Sequence, residues 1–508
     1  MTVSTEPAIL SGARRRTLAE IHDRAARAAS GLRALGVGEG DAVALHLRND
    51  FEFFEASVAA GRLGAYATPI NWHFTADEAG YILRDAGARA LVTHTDLFPI
   101  IASAVPADVA VLLVPTPPEI RAAYRLGADA PVPASTATWE TLVAGNAPLP
   151  DPPRPSRASM IYTSGTTGRP KGVRREPSTP AQAAQALTRF GYTFGLKADE
   201  PAVALMNGPM YHSAPNAYAI NAVRLNKSIV LQARFDPEEM LQLIERHRIS
   251  HMHIVPTMFV RLLRLPDDVR RRYDVSSLRW VIHGAAPCPP EVKRAMIEWW
   301  GPVINEYYGS TETSVPTIAS ADDALRKPGT VGRPLADSRI KIIGPAGEEL
   351  PQGEIGEIFI HVEGLPAFTY QNQPDKRREI GRDEFVTVGD AGYFDADGYL
   401  FLADRKRDMV ISGGVNIYPA EIEMVLVTMP GVRDCAVFGL PDAEFGESLC
   451  ACIQPDPAHP APTLARVHAY LGRSLAKFKL PRRVELVNEM PREDSGKIFK
   501  RKLRERYL

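Results

Sequence analysis

Lysine is absent from the first 170 residues of this 508-residue chain. Arginine carries the basic charge there, and the first lysine is Lys171. Neither sign of charge is in excess: 59 basic and 60 acidic side chains leave a net charge of -1. That excludes the broad basic stripe of a nucleic-acid binder. Cysteine is sparse. Cys288, Cys435, Cys450 and Cys452 make no CxxC pair and no Cys/His ligand spacing, which excludes a disulfide scaffold and a zinc ribbon. They read as reduced cysteines with packing roles. No apolar run reaches the ~20 residues of a membrane span, because Asp96, Asp108 and several prolines interrupt the best candidate. The start, MTVSTEPAIL, has neither the basic beginning nor the long apolar core of a signal peptide, so a cytoplasmic location is expected. What is present, 45% hydrophobic and 23% charged residues, is ordinary for a globular enzyme. Length suggests about three structural units.

Apolar periodicity supplies the elements. Residues 17–36 place Leu18, Ile21, Ala25, Ala28, Leu32 and Leu35 at helical spacing, with Gly36 to end the helix. Asp41 to Leu47 alternates like a strand, and helix-like stretches at 51–63 and 75–87 each precede a strand-like run. Helix and strand in alternation imply an α/β architecture. Asp236-Pro237-Glu238-Glu239 is a helix start, with Asp as N-cap. Strands are expected at Ala158–Thr163, Trp280–Ile282, Val303–Ile304, Ile340–Ile343, Ile358–Val362 and Tyr399–Leu402, with turns at Pro345-Ala346-Gly347 and Asp395-Ala396-Asp397-Gly398. A polar cluster, Asp404-Arg405-Lys406-Arg407-Asp408, precedes about a hundred residues with a fresh βαβ-like pattern, and a domain boundary is expected there.

The strongest chemical signal is Tyr162-Thr163-Ser164-Gly165-Thr166-Thr167-Gly168-Arg169-Pro170-Lys171-Gly172. Its glycines let backbone N–H groups turn toward a ligand, its hydroxyls add donors, and Lys171 adds charge, as a polyphosphate requires. The spacing is not that of a Walker A loop. A flexible linker would need no lysine and would rarely follow a strand.

This loop resembles the phosphate loop of the adenylate-forming superfamily, which includes acyl-CoA synthetases, luciferases and peptide-synthetase adenylation domains. Tyr307-Tyr308-Gly309-Ser310-Thr311-Glu312 resembles that family's aromatic-Gly-x-Thr-Glu segment. Val388-Gly389-Asp390 resembles its Thr-Gly-Asp segment, with valine for the usual threonine or serine. Asp404 through Asn416 resembles its hinge and glycine loop, and Ser495-Gly496-Lys497 its C-terminal lysine segment. The resemblance runs through the whole chain.

The resemblance implies roles. Thr311 would bond the α-phosphate, and Glu312 would offer a carboxylate to Mg²⁺, which prefers oxygen ligands; alone, Glu312 would read as a loop acid. Asp390 would accept from ribose hydroxyls, though an acid in a turn is the plain alternative. Gly284-Ala285-Ala286 would lie against adenine; seen alone it is a strand–helix turn. Glu306, Tyr307, Tyr308, Gly309 and Arg405 join the nucleotide set. Gly413 and Gly414 would line the pantetheine tunnel, or form a simple tight turn. Lys497 would reach both the carboxylate and the α-phosphate. Its neighbours Lys500, Arg501, Lys502 and Arg504 read as a solvated basic tail. Arg407 occupies the hinge position. His212, after Tyr211, would orient the acyl carboxylate, or serve as a structural histidine. No role is assigned to Arg174-Arg175.

The implied architecture is α/β: a large N-terminal AMP-binding domain of α/β subdomains with a β-rich part (1–403), a hinge (404–408) and a small mobile α+β domain (409–508). The implied activity is an acyl-CoA synthetase using ATP, Mg²⁺ and CoA on an apolar carboxylic acid: fatty, aryl or alicyclic. The acyl-site positions near Ala286 and Thr313 are uncharged, and a second buried carboxylate would need a cationic partner. The expected partners are small molecules, with no nucleic acid and no membrane span, and a homodimer is the candidate assembly. Alternatives are a carrier protein as acceptor, a luciferase-like oxidase, and a silent nucleotide-binding paralogue. No carrier module follows Lys497, and Lys171, Thr311, Glu312, Asp390 and Lys497 are all intact.

Overall fold

The computed structural model describes residues 6–128, 137–150, 154–155, 157–163, 169–405, 409–412, 415–442, 445–492 and 498–508. The chain divides into two compact units. One comprises Met1–Ile254, Leu265–Ile282 and Glu363–Ile380; the other comprises Val255–Arg264, His283–Val362 and Gly381–Leu508.

In the first unit, the helix expected near 17–36 spans Leu18–Ala34. Thr17 accepts from the Glu20 N–H while Glu20 accepts from the Thr17 N–H, a capping box that fixes its start. Leu18, Ile21, Ala25, Ala28 and Leu32 are its buried stripe. Strand Ala42–His46 is buried along its whole length. It lies inside a parallel sheet ordered Tyr66–Pro69, Ala42–His46, Ala88–His94, Ala110–Val114, where both faces are covered. Helices Phe51–Arg62 and Ala76–Ala86 make the crossovers, and Gly87 closes the second in the left-handed region at φ 62. A further run of strands is ordered Trp280–His283, His251–Ile254, Val203–Met206, Ser228–Leu231, Ala8–Ser11, Arg14–Thr17. Between them, helix Pro237–His247 starts at Asp236, whose carboxylate accepts from the N–H groups of Glu238 and Glu239.

The second unit is richer in antiparallel strands. Ile304–Ser310 pairs with Ser314–Ala319, which pairs with Arg333–Pro334. Ser338–Ile343, Gly356–Val362 and Phe385–Phe394 form another sheet, with Leu400–Arg405 against the last of these.

The C-terminal part shows why strand alternation and burial agree. Strand Val432–Asp442 pairs with Gly446–Pro455, and both faces are covered. Cys435, Val437, Leu449, Ala451 and Ile453 pack with Ile422, Leu426, Val467 and Leu471 from helices Pro419–Leu426 and Leu464–Leu471. Their alternates Ala436, Phe438, Leu440, Cys450 and Cys452 pack with Val487, Met490 and Leu503. All four cysteines are buried and unpaired. The expectation of a solvated basic tail is corrected here. Lys500–Arg504 is a helix whose Leu503 is fully buried, Lys500 meets Glu423 at 2.8 Å, and Arg504 meets Glu447 at 3.2 Å. Burial of Leu503 anchors the segment, and the charges of Lys500 and Arg504 find partners, while Lys502 is exposed. Among the described residues, no helix is long and apolar enough to cross a membrane.

Candidate active site

The first unit supplies the phosphate-loop flanks. Ile161–Thr163 and Lys171–Arg175 form an antiparallel pair in which Thr163 faces Lys171. The loop residues Ser164, Gly165, Thr166, Thr167 and Gly168 lie outside the described residues. Lys171 is buried, and its ammonium sits 5.0 Å from the centroid of the Tyr370 ring, on the neighbouring strand Phe368–Tyr370. Gly172 is fixed by sterics: a Cβ there would fall 2.8 Å from a ring carbon of Tyr162. Tyr162 is held in turn, donating its hydroxyl to Asp85 at 2.7 Å. Arg174 and Arg175 face protein groups. Arg174 reaches the Tyr66 hydroxyl and Gln371, and Arg175 donates to the Pro366 carbonyl at 3.0 Å.

His212 is the N-cap residue of helix Ser213–Arg224, half-buried, with its ring 4.4 Å from that of Tyr211. Two amides hold the segment before it. Asn49 donates to the Gly208 carbonyl at 2.8 Å and accepts from the Met210 N–H at 2.9 Å. Asn216 donates to the Met210 carbonyl at 3.0 Å. Trp72 meets Tyr211 edge-on at 4.5 Å. Asn49 carries no motif and lies about 160 positions from its partners, so no local signal could have found it.

The second unit holds most of the residues expected to bind the nucleotide. Thr311 and Glu312 occupy the tip of the turn joining Ile304–Ser310 to Ser314–Ala319, and both are half-buried. Ser310 braces the turn: its oxygen accepts from the Thr313 N–H at 3.1 Å and lies 2.9 Å from the Thr313 hydroxyl. The ladder shifts between Tyr308 and Ser310, and Gly309 fills the shift. A Cβ on Gly309 would fall 2.0 Å from the Ser314 carbonyl oxygen, so only glycine fits.

Tyr308 donates its hydroxyl to Asp390 at 2.8 Å, and both residues are buried. The expected aromatic and the expected ribose carboxylate are thus in contact across 82 positions of sequence. Asp390 follows Gly389, whose φ of 79 bends strand Phe385–Phe394 just before the carboxylate. Val388 brings no hydroxyl, but Thr387, one residue earlier, accepts from the Gly389 N–H at 3.0 Å. Arg405 pairs with Asp390 through the backbone ladder.

Tyr307 takes the other direction from its strand. A Cβ on Gly284 would fall 2.5 Å from a ring atom of Tyr307, so the small residue at 284 is required by the aromatic. Ala285 follows with a φ of 68, a left-handed conformation uncommon for a residue with a side chain, and it is exposed. Ala286 is half-buried. Glu306 is buried, and its carboxylate is committed to the Lys293 ammonium.

One carboxylate at the turn tip, Glu312 beside the Thr311 hydroxyl, fits a Mg²⁺ held chiefly by phosphate and water oxygens. Among the described residues, no group of three or more His, Cys, Asp or Glu could cage a metal. Arg407, Gly413, Gly414 and Lys497 lie outside the described residues. Strands Val410–Ser412 and Val415–Ile417 pair on either side of Gly413-Gly414, and Arg492 bridges Ile498 on either side of the Lys497 segment.

Two family models match the chain. The one described as AMP-binding enzyme matches residues 3–365, and the AMP-binding enzyme C-terminal domain matches 421–497. A fatty acid–[acyl-carrier-protein] ligase of Streptomyces coeruleorubidus is 32% identical over 99% of this chain and 94% of its own. A feruloyl-CoA synthase of an Amycolatopsis species is 33% identical over 98% and 96%. Among solved structures, ATP-bound MatB from Rhodopseudomonas palustris matches with a TM-score of 0.82 at 30% identity, over 100% of this chain and 97% of that one. The chain therefore belongs to the AMP-binding enzyme family, as an AMP-forming acid–thiol ligase of the acyl-CoA synthetase type that uses ATP, Mg²⁺ and CoA.

Proposed function

We propose that this chain activates an apolar carboxylic acid, fatty, aryl or alicyclic, and passes the acyl group to CoA. In the first half-reaction a carboxylate oxygen attacks the α-phosphorus of ATP, and the bond to pyrophosphate breaks. This makes AMP the leaving group in place of oxide. In the second, the CoA sulfur attacks the acyl carbon, the thiol proton is lost, and AMP departs with the former carboxylate oxygen.

The observation that carries the reading is the contact between Tyr308 and Asp390, 2.8 Å apart and buried. It joins an aromatic face to a ribose-type acceptor beside the Thr311-Glu312 turn. In this reading Asp390 takes ribose hydroxyls, Gly284, Ala285 and Ala286 admit the flat base, and Thr311 bonds the α-phosphate. Bound Mg²⁺, held on the protein side by Glu312, would neutralise phosphate charge. The hydroxyls of residues 163–167 and the charge of Lys171 take the outer phosphates, and Lys497 neutralises the α-phosphate and carboxylate as they meet. His212 orients the carboxylate. The division into 1–403, a hinge at 404–408 and 409–508 is part of this reading, with rotation at Arg407 and Gly413-Gly414 lining the CoA path. Four buried, unpaired cysteines support a reducing compartment, the cytoplasm.

The test is a panel of acids with ATP, Mg²⁺ and CoA, read by AMP and thioester formation. Apolar acids should be activated and dicarboxylates rejected; a preference for dicarboxylates would overturn the pocket reading. A second acceptor is favoured by the carrier-protein ligase among the relatives. Exchanging CoA for a phosphopantetheinylated carrier protein separates the two.

A further inference from the structure

We infer that Glu306 is a positioning residue: a buried carboxylate that, clamped by Lys293, sets the two backbone segments between which the base of ATP binds. The inference rests on the nucleotide site proposed above.

Glu306 lies on strand Ile304–Ser310 and is 6% exposed. Its ion-pair partner Lys293 lies on helix Pro290–Trp300 and is 4% exposed. The other carboxylate oxygen stands 3.9 Å from Nδ1 of His283, which is fully buried. The Phe259 ring meets His283 edge-on at 5.3 Å. His283 immediately precedes Gly284-Ala285-Ala286, and Glu306 immediately precedes Tyr307-Tyr308. One carboxylate therefore sits at the root of both segments. The fit beyond it is tight, since Gly284 has no room for a Cβ beside Tyr307, and Ala285 is left-handed.

A buried ion pair is a weak source of stability, because desolvation offsets its attraction. Apolar residues of similar size often replace such a pair without loss of stability. What they do not replace is the anchor: the ion pair ties strand Ile304–Ser310 to helix Pro290–Trp300 at the root of both segments, and losing it frees them to shift. Tyr308 would carry such a shift to Asp390 through its hydroxyl. Glu306 thus acts on ATP through its neighbours.

The experiment compares the full chain with the double variant Lys293→Met/Glu306→Leu, which leaves no unpaired charge. Lys293→Arg is the second variant; it keeps the charge but changes the reach. Readouts are ATP–pyrophosphate exchange kinetics, binding of a fluorescent ATP analogue, and thermal unfolding. Both variants should stay folded, with the KM for ATP and the analogue Kd raised about tenfold in the double variant, and the KM for the acid unchanged. An unchanged ATP KM and Kd in whichever variants fold would overturn the inference, as would equal rises for ATP and acid. No exchange by the unmodified chain would instead reject the underlying reading.

Discussion

Replacing Gly309 by alanine tests whether the Thr311-Glu312 turn is set by backbone packing. The new Cβ would fall 2.0 Å from the Ser314 oxygen, 2.9 Å from the Ser314 carbonyl carbon and 3.0 Å from the Val315 Cα. All three are backbone atoms, so no side chain can swing aside. Against an ordinary C···O contact of about 3.3 Å, the 2.0 Å separation is short by about 1.3 Å. The two strands must part by roughly that distance where they carry Thr311 and Glu312. Overpacking of this kind costs ~1–3 kcal/mol of stability. A displacement of about 1 Å at a reacting centre costs ~10²-fold in rate. The assay is ATP–pyrophosphate exchange with an acid the unmodified chain accepts, alongside thermal unfolding. Exchange should fall ~10²-fold in a chain that remains folded. Gly127→Ala is the control, since that exposed position has nothing within 4 Å of a new Cβ. Gly309→Ala with exchange and melting both unchanged would refute the reasoning.

Tyr308→Phe removes the hydroxyl from Asp390 and should raise the KM for ATP about tenfold, in line with ~1.5 kcal/mol for a hydrogen bond to a charged group. Steady-state kinetics with varied ATP checks this, and an unchanged KM would count against the ribose role of Asp390. Lys497→Ala should slow adenylation by ~10²-fold or more while sparing thiolysis of supplied acyl-AMP, and stopped-flow measurement of each half-reaction distinguishes them. Asp50 is fully buried, 2.6 Å from Arg14 and 3.3 Å from His94. Although burial alone would raise it, these partners hold its carboxyl at about 2, below the ordinary 3.8. Its stabilising contribution is therefore present above the ordinary value and lost as pH falls from there toward about 2. Asp50→Asn should cost ~3 kcal/mol near neutral pH, with the gap to the unmodified chain narrowing over that acid window in urea titrations. A gap independent of pH would contradict the ion-pair account.

Much of the first unit was legible because its signals are local. The helix at Leu18–Ala34 combines an apolar stripe with a capping box, and Asp236 marks its helix by residue type alone. Strand Ile304–Ser310 was the poorer case. Only its first apolar residue resembled a strand, because Asn305, Glu306 and the two tyrosines follow, and their burial depends on partners distant in the chain. The same limit applies at the site. Motif residues such as Thr311 and Asp390 stood out by neighbours in sequence, whereas the contacts that hold the candidate site's segments did not. Asn49, Lys293 and the hydroxyl link from Tyr308 to Asp390 arise only when segments far apart in the chain meet. Lys500 and Arg504 depart from a solvated tail for a related reason: their partners Glu423 and Glu447 lie on elements that charge pattern alone does not bring near.

The central claim is that activation passes through an acyl-adenylate before the thiol attacks. Isotope transfer tests it directly, using an accepted acid labelled with ¹⁸O in its carboxylate, turned over with ATP, Mg²⁺ and CoA. The account predicts one labelled oxygen in each AMP formed and none in pyrophosphate. Label in pyrophosphate or inorganic phosphate, or AMP formed without label, would contradict it.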